Sequence, residues 1–139
     1  MNLVDSHCHL DFPNFEGRLD DVVERATNAG VNFMMTICTQ LSKFEQVLDV
    51  AKSYENIWCS VGVHPHNAAC ESETTAQTLI SMAKHPKVVA FGETGLDYYY
   101  DHSPRDQQIG LFRQHIQAAR QTGLPLVIHV RDADDELIR

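Results

Sequence analysis

The feature that most constrains this chain is an alternation. Five times over, a short and nearly unbroken apolar run is followed by a segment with helical periodicity. The runs cover Asn2–His9, Val31–Cys38, Ile57–Val63, Val88–Phe91 and Leu124–Val130. After the first, Leu19, Val22, Val23 and Ala26 share one face of a helix over Arg18–Ala29, which stops at Gly30. Phe44, Val47, Leu48 and Ala51 mark a second helix, and Ala76, Leu79, Ile80 and Ala83 mark a third before Pro86. A fourth has Ser103 as N-cap, Pro104 in the first helical position and Asp106 completing a variant capping box. Ile109, Phe112, Ile116 and Ala119 give its buried stripe, and Gly123 ends it. A fifth helix begins at Asp132, its expected cap, and runs to Arg139.

Strands that are apolar throughout, rather than alternating, need cover on both faces, which is the condition of a parallel sheet. Two α/β architectures meet it, an open doubly wound sheet and a (β/α)8 TIM-type barrel. The first βα turn lacks the G-x-G-x-x-G fingerprint of dinucleotide-binding doubly wound folds. Polar side chains recur at the C-terminal strand ends (His7 and His9, His64, Glu93, His129), where barrels keep their chemistry. The barrel is therefore expected. A complete one takes about 250 residues, so residues 1–139 form one domain, a partial barrel of about five βα units. Its first and fifth strands should have unpaired edges.

The formal charge of −8, from 19 acidic and 11 basic residues, leaves no Lys/Arg stripe for gripping nucleic-acid backbone. Any nucleic-acid partner must meet positive charge from bound metal, with weak nonspecific affinity. The four cysteines form no C-x-x-C pair, and Cys8, Cys38 and Cys59 lie in apolar runs, as reduced core thiols do. Neither a secretory signal nor a membrane span is read in the sequence, so a cytoplasmic location is expected.

The chemistry concentrates in four stretches. In VDSHCHLD, His7 and His9 point to one face of a strand, about 6.6 Å apart, with Asp5 one step deeper. Two imidazoles so placed can converge on one divalent ion. In VVAFGETGLDYYY, Glu93 follows an apolar strand, and its neighbours Gly92 and Gly95 allow close approach of a ligand. A carboxylate there calls for a cation. Asp97 either orients a ligand histidine or caps a turn. Tyr98, Tyr99 and Tyr100 read as packing on their neighbours, with a stacking face for a base as the alternative. In PLVIHVRDADDE, His129 ends the strand and Arg131 follows on the same side, to fork a phosphate or to pair with the surrounding acids. In GVHPH, Pro65 holds His64 extended, for donation to a substrate phosphate or proton transfer. His66 is placed at the rim, and His85, His102 and His115 receive no role.

In this order and spacing, DSHCHLD, GVHPH, GETGLDYYY and IHVRDAD resemble the TatD-type metal-dependent deoxyribonucleases, a family of amidohydrolase-like (β/α)8 barrel enzymes. The resemblance covers the whole chain. It implies His7, His9, Glu93 and His129 as metal ligands, with Glu93 able to bridge two divalent ions; His64 and Arg131 remain the candidate substrate-binding residues from the reading of their own motifs. Mg²⁺, Mn²⁺ and Zn²⁺ all suit such ligands. The implied activity is hydrolysis of DNA phosphodiester bonds from a 3′ end by metal-activated water. The family pattern continues with a histidine on the sixth strand and an aspartate, the expected base, on the eighth. Both lie beyond residue 139, so no catalytic base is assigned here, and self-association or a complementing C-terminal half is an expected partner. The rival readings are a metal hydrolase of an amide, lactone or phosphotriester, and a non-catalytic fragment.

Overall fold

The computed structural model of the chain describes residues 2–138. Five strands, β1 (Leu3–Cys8), β2 (Val31–Thr36), β3 (Ile57–Val61), β4 (Val88–Asp97) and β5 (Leu126–Arg131), alternate with α1 (Leu19–Asn28), α2 (Phe44–Ser53), α3 (Ala76–Met82), α4 (Arg105–Thr122) and α5 (Asp134–Leu137). The strands form one all-parallel sheet in the order β1-β2-β3-β4-β5. Every new strand joins on the same side. A doubly wound sheet would reverse direction once, so the architecture is a half-barrel.

The central strands read as continuous apolar runs because they are buried almost along their whole length. Met34, Ile57, Cys59 and Phe91 meet Val47, Leu48, Ala51 and Leu79 of the helices in the main core. β1 has neighbours on one edge only and is exposed for most of its length, Val4 to 65%. Cys8, between the two histidines, turns the other way and packs against that core. All four cysteines are free, and burial pushes Cys38 up to about 11 and Cys8 and Cys59 up to about 12. Burial thus favours the protonated form of these three thiols. Among the described residues, no helix is long and apolar enough to cross a membrane.

Several expectations need correction. β4 does not stop at Phe91 but continues through Glu93 to Asp97. Gly92 and Gly95 make room for the next strand rather than for a ligand. A Cβ on Gly95 would stand 2.1 Å from the His129 carbonyl oxygen, at a φ of +138° that side chains rarely adopt. Ser103 does not cap α4, whose first residue is Arg105. Its hydroxyl instead accepts the Ala69 N–H and donates to the His66 carbonyl, pinning the loop that carries His66. Asp132 lies in the left-handed region at φ 54° and does not cap α5, which is four residues long with Ala133 at its N-cap. Arg139, the expected end of that helix, lies outside the described residues.

The fully buried face of α4 is offset from the expected stripe. It carries Gln108, Leu111, Phe112, His115 and Ala118, while Ile109, Ile116 and Ala119 are only partly buried. Two polar side chains on that face satisfy strand-end backbone. Gln108 accepts the Asp97 N–H and donates to the carbonyls of Asp97 and Ser103. His115 Nε2 accepts the Val63 N–H at 3.1 Å while Nδ1–H donates to the Leu111 carbonyl. α4 thereby fixes the chain at the ends of β3 and β4, two of the strands that lead into the site.

Burial pushes His115 down to about 4, against a weaker upward pull from the Leu111 carbonyl. An unfolded chain takes up this proton near the ordinary value of 6.5. The stability held by this ring is therefore complete above pH 6.5 and declines as the pH falls toward 4, by about 3 kcal/mol in all. Urea unfolding at pH 7.5 and 4.5 is expected to show this loss in the native chain and a smaller one in His115→Gln. Equal pH slopes in the two proteins would remove His115 as the cause.

Candidate metal centre

At the C-terminal end of the sheet, one carboxylate gathers four imidazoles. Glu93 is 8% exposed, and among the described residues its side chain pairs only with histidines. Oε2 faces Nε2 of His7 at 3.2 Å and Nε2 of His9 at 3.9 Å. Oε1 faces Nδ1 of His129 at 3.2 Å and Nε2 of His64 at 3.7 Å. The strands explain the convergence. His7 and His9 end β1, His64 follows β3, Glu93 lies within β4 and His129 within β5. The donor atoms of His7, His9 and Glu93 lie within 4.8 Å of one another, as do those of His64, Glu93 and His129.

Asp5 is not part of this group, since its carboxylate turns back to accept the His7 N–H. Asp97 is fully buried and its acceptor sites are used up. Oδ1 takes the backbone N–H groups of Tyr99 and Tyr100, and Oδ2 faces Nε2 of His66 at 2.8 Å and Nε2 of His129 at 2.9 Å. Burial by itself raises the Asp97 carboxyl, but the Tyr100 N–H and the two imidazoles pull it well below the usual carboxylate range. An ionised carboxylate offers about four acceptor sites, so Asp97, hydrogen-bonded to His66, His129 and two backbone N–H groups, has no lone pair left for an ion. His66, placed at the rim by the sequence, is tied into the centre through this carboxylate.

The hydrogen bonds also settle where the ring protons sit. The His66 backbone N–H donates to Nδ1 of His64, so a neutral His64 carries its proton on Nε2. Burial, with the nearby His129 and His66, outweighs the opposing pull of Glu93 and Asp97 and pushes His64 down to about 4, which keeps it neutral at pH 7. Its Nε2–H points at Nδ1 of His129, 3.3 Å away. His129 donates Nε2–H to Asp97, and in the neutral ring that leaves the Nδ1 lone pair toward Oε1 of Glu93. Two acceptors 3.2 Å apart repel each other unless a proton or a metal cation lies between them. That arrangement, with a further pair of imidazoles on Oε2, fits divalent metal. His64, which shows a proton rather than a lone pair, fits a hydrogen-bond donor.

Arg131 makes no ion pair among the described residues, although acids surround it in sequence. Its guanidinium lies over the rings of Tyr99 and Tyr100, 4.2 and 4.6 Å from their centroids. His102, given no role from sequence, stands 4.7 Å edge-on from the His66 ring.

Comparison with known proteins shows the family. The family model described as TatD related DNase matches residues 4–139. The 3'-5' ssDNA/RNA exonuclease TatD of Salmonella typhimurium is 34% identical over 136 residues, 98% of this chain and 52% of that protein. YcfH of Escherichia coli K12, an uncharacterised metal-dependent hydrolase, is 38% identical over 96% of this chain and 51% of its own length. The crystal structure of YJJV, a TatD homolog from Escherichia coli K12, superposes with a TM-score of 0.82 at 30% identity, covering 97% of this chain and 53% of that one. The chain thus spans about half the length of the curated relatives it matches.

Proposed function

This chain belongs to the TatD-related DNase family, and from that premise we propose that it carries one face of the active site of a metal-dependent hydrolase that cleaves nucleic-acid phosphodiester bonds from the 3′ end. The observation that carries this reading is Glu93, whose two oxygens each face a different pair of imidazoles in a buried setting. His7, His9 and Glu93 Oε2 would hold one divalent ion, and Glu93 Oε1 with His129 Nδ1 would take part in holding a second. When bound, such ions supply polarisation of the phosphate and acidify water.

The chain's own groups do the rest. Asp97 holds His129 with its bare nitrogen forward. His64, locked by the His66 amide, donates Nε2–H to a non-bridging phosphate oxygen. It is already neutral at pH 7 and gains from exchanging an imidazole partner for a charged one. Arg131 presents N–H edges to the backbone of the strand being held. The general base is not among these groups.

The test is release of nucleotides from single-stranded DNA labelled at either end, by the whole protein with Mg²⁺, Mn²⁺ or Zn²⁺ added. Shortening from the 3′ end is expected. Hydrolysis of an amide, lactone or phosphotriester panel with DNA left intact would replace the nuclease reading. Failure of the chain to bind any of the three ions by calorimetric titration would overturn the metal centre itself.

A further inference from the structure

Beyond the metal centre, the same rim carries a group of aromatic rings that the reading above leaves unused. Tyr99 and Tyr100 are 57% and 48% exposed. Large rings left in water at an active-site rim need a reason. They are not loose. Asp97 Oδ1 accepts both of their backbone N–H groups, and Arg105 ties down the loop through the Tyr98 carbonyl and the Asp101 carboxylate. The two rings meet edge to face at 4.8 Å, and His102 lies parallel to Tyr100 within 4° at 5.6 Å. Arg131 covers one side of the pair. Because its flat face is spent on the tyrosines, only its N–H edges remain for a ligand, and among the described residues no carboxylate takes them.

The position is as informative as the composition. Asp97 is paired with Arg131 in the β4–β5 ladder, two residues beyond the pair of Gly95 with His129. The shelf therefore stands about 6.6 Å further out along the strands than the metal-facing histidine, the reach of a neighbouring nucleotide. The Tyr100 ring also touches His66 edge-on at 5.5 Å, so shelf and centre share one carboxylate as support.

We infer that Tyr99, Tyr100, His102 and Arg131 form a nucleotide subsite, in which the rings stack on an unpaired base and the arginine edge takes its phosphate. This rests on the nucleic-acid reading and deepens it. Stacking of this kind needs a base with a face not already covered by a neighbouring base, and it tolerates any of the four. The ligand class is thus single-stranded nucleic acid with little sequence preference, and the duplex, whose bases are already stacked, is the poor ligand.

The experiment compares binding of a fluorescent hexathymidylate with that of an abasic hexamer carrying the same number of phosphates. Both are built with cleavage-resistant phosphorothioate linkages, and Mg²⁺ is present so that the metal centre keeps its positive charge. The chain is expected to prefer the base-bearing strand by about fivefold to a hundredfold. Tyr100→Leu and Tyr99→Leu are expected to shrink that ratio toward one, whereas Arg131→Gln weakens both strands alike. Equal affinity of the unaltered chain for the two strands overturns the subsite, and this arm needs no variant to fold. A preference that survives in both leucine variants overturns it as well. The nuclease reading fails separately. DNA cleavage without base preference removes only the shelf, and base preference without cleavage leaves the shelf as a binding surface on a protein that is not a nuclease.

Discussion

Replacing Glu93 with glutamine is expected to abolish the thermal stabilisation that divalent metal gives this chain and to lower hydrolysis by the whole protein by well over a hundredfold. The amide keeps the shape but loses the charge, and one of its two donor positions must present N–H groups to a nitrogen that is itself waiting for a cation. The carboxylate faces His7 and His9 with one oxygen and His64 and His129 with the other, so both halves of the centre lose a member at once. Disturbing a mere orienting partner of a metal ligand costs 10- to 100-fold, and this change acts on the shared ligand. The native chain with metal at about a hundred times its dissociation constant should gain about 2.7 kcal/mol, a rise in melting temperature of roughly 10 °C. Glu93→Gln should show no such rise, while its melting temperature without metal is preserved or raised, because a buried carboxylate has been neutralised. A variant that melts with the same metal-dependent rise as the native chain would place the ion elsewhere.

The repeating βα pattern was legible because the middle strands are buried on both faces and so carry uninterrupted apolar residues. The same logic fails at the end of β4. Gly92, Glu93 and Gly95 look like turn punctuation, yet the strand runs on, since glycine is required there by the close approach of β3 and β5. A Cβ on Gly62 of the neighbouring segment would stand 2.6 Å from the Gly92 backbone. Periodicity misplaced the α4 stripe for a related reason. Gln108 and His115 are polar and so do not register in an apolar stripe, but the buried strand ends they face hold backbone groups that need polar partners.

The four proposed ligands His7, His9, Glu93 and His129 stood out in the sequence because each closes or interrupts an apolar run, and the fold brings their side chains together. What could not be seen was which ring nitrogen each one shows. One device carrying that information is visible in retrospect. In His64-Pro65-His66 the proline has no N–H, and the amide after it donates back to Nδ1 of the histidine at 3.2 Å. His85-Pro86-Lys87 repeats the bond at the same length, at the opposite end of a strand and away from the centre. The motif sets a tautomer, and only the fold decides whether the exposed proton faces a site.

Asp97→Asn is expected to weaken metal binding about 10- to 100-fold without moving any ligand residue. The carboxylate accepts four hydrogen bonds, two on each oxygen. Asparagine has one acceptor oxygen and one donor nitrogen, so it can serve only one of these two sides. If the oxygen turns toward Tyr99 and Tyr100, the amide N–H groups face His129 Nε2, the imidazole gives up its proton there, and Nδ1 becomes protonated where it must meet a cation. If the oxygen turns toward the imidazoles, two backbone N–H groups lose their acceptor, at about 1–3 kcal/mol. Nitrogen-15 spectra of the metal-free protein distinguish the outcomes, because the two imidazole tautomers differ at both ring nitrogens. The expected variant shows His129 shifted to the Nδ1–H form, together with weaker metal binding and unchanged helix content. Loss of stability alone, with His129 still bare at Nδ1 and metal affinity intact, would reduce Asp97 to a loop anchor. His66→Ala supplies the contrast, since it removes one donor to the same oxygen and leaves the His129 tautomer with no reason to change.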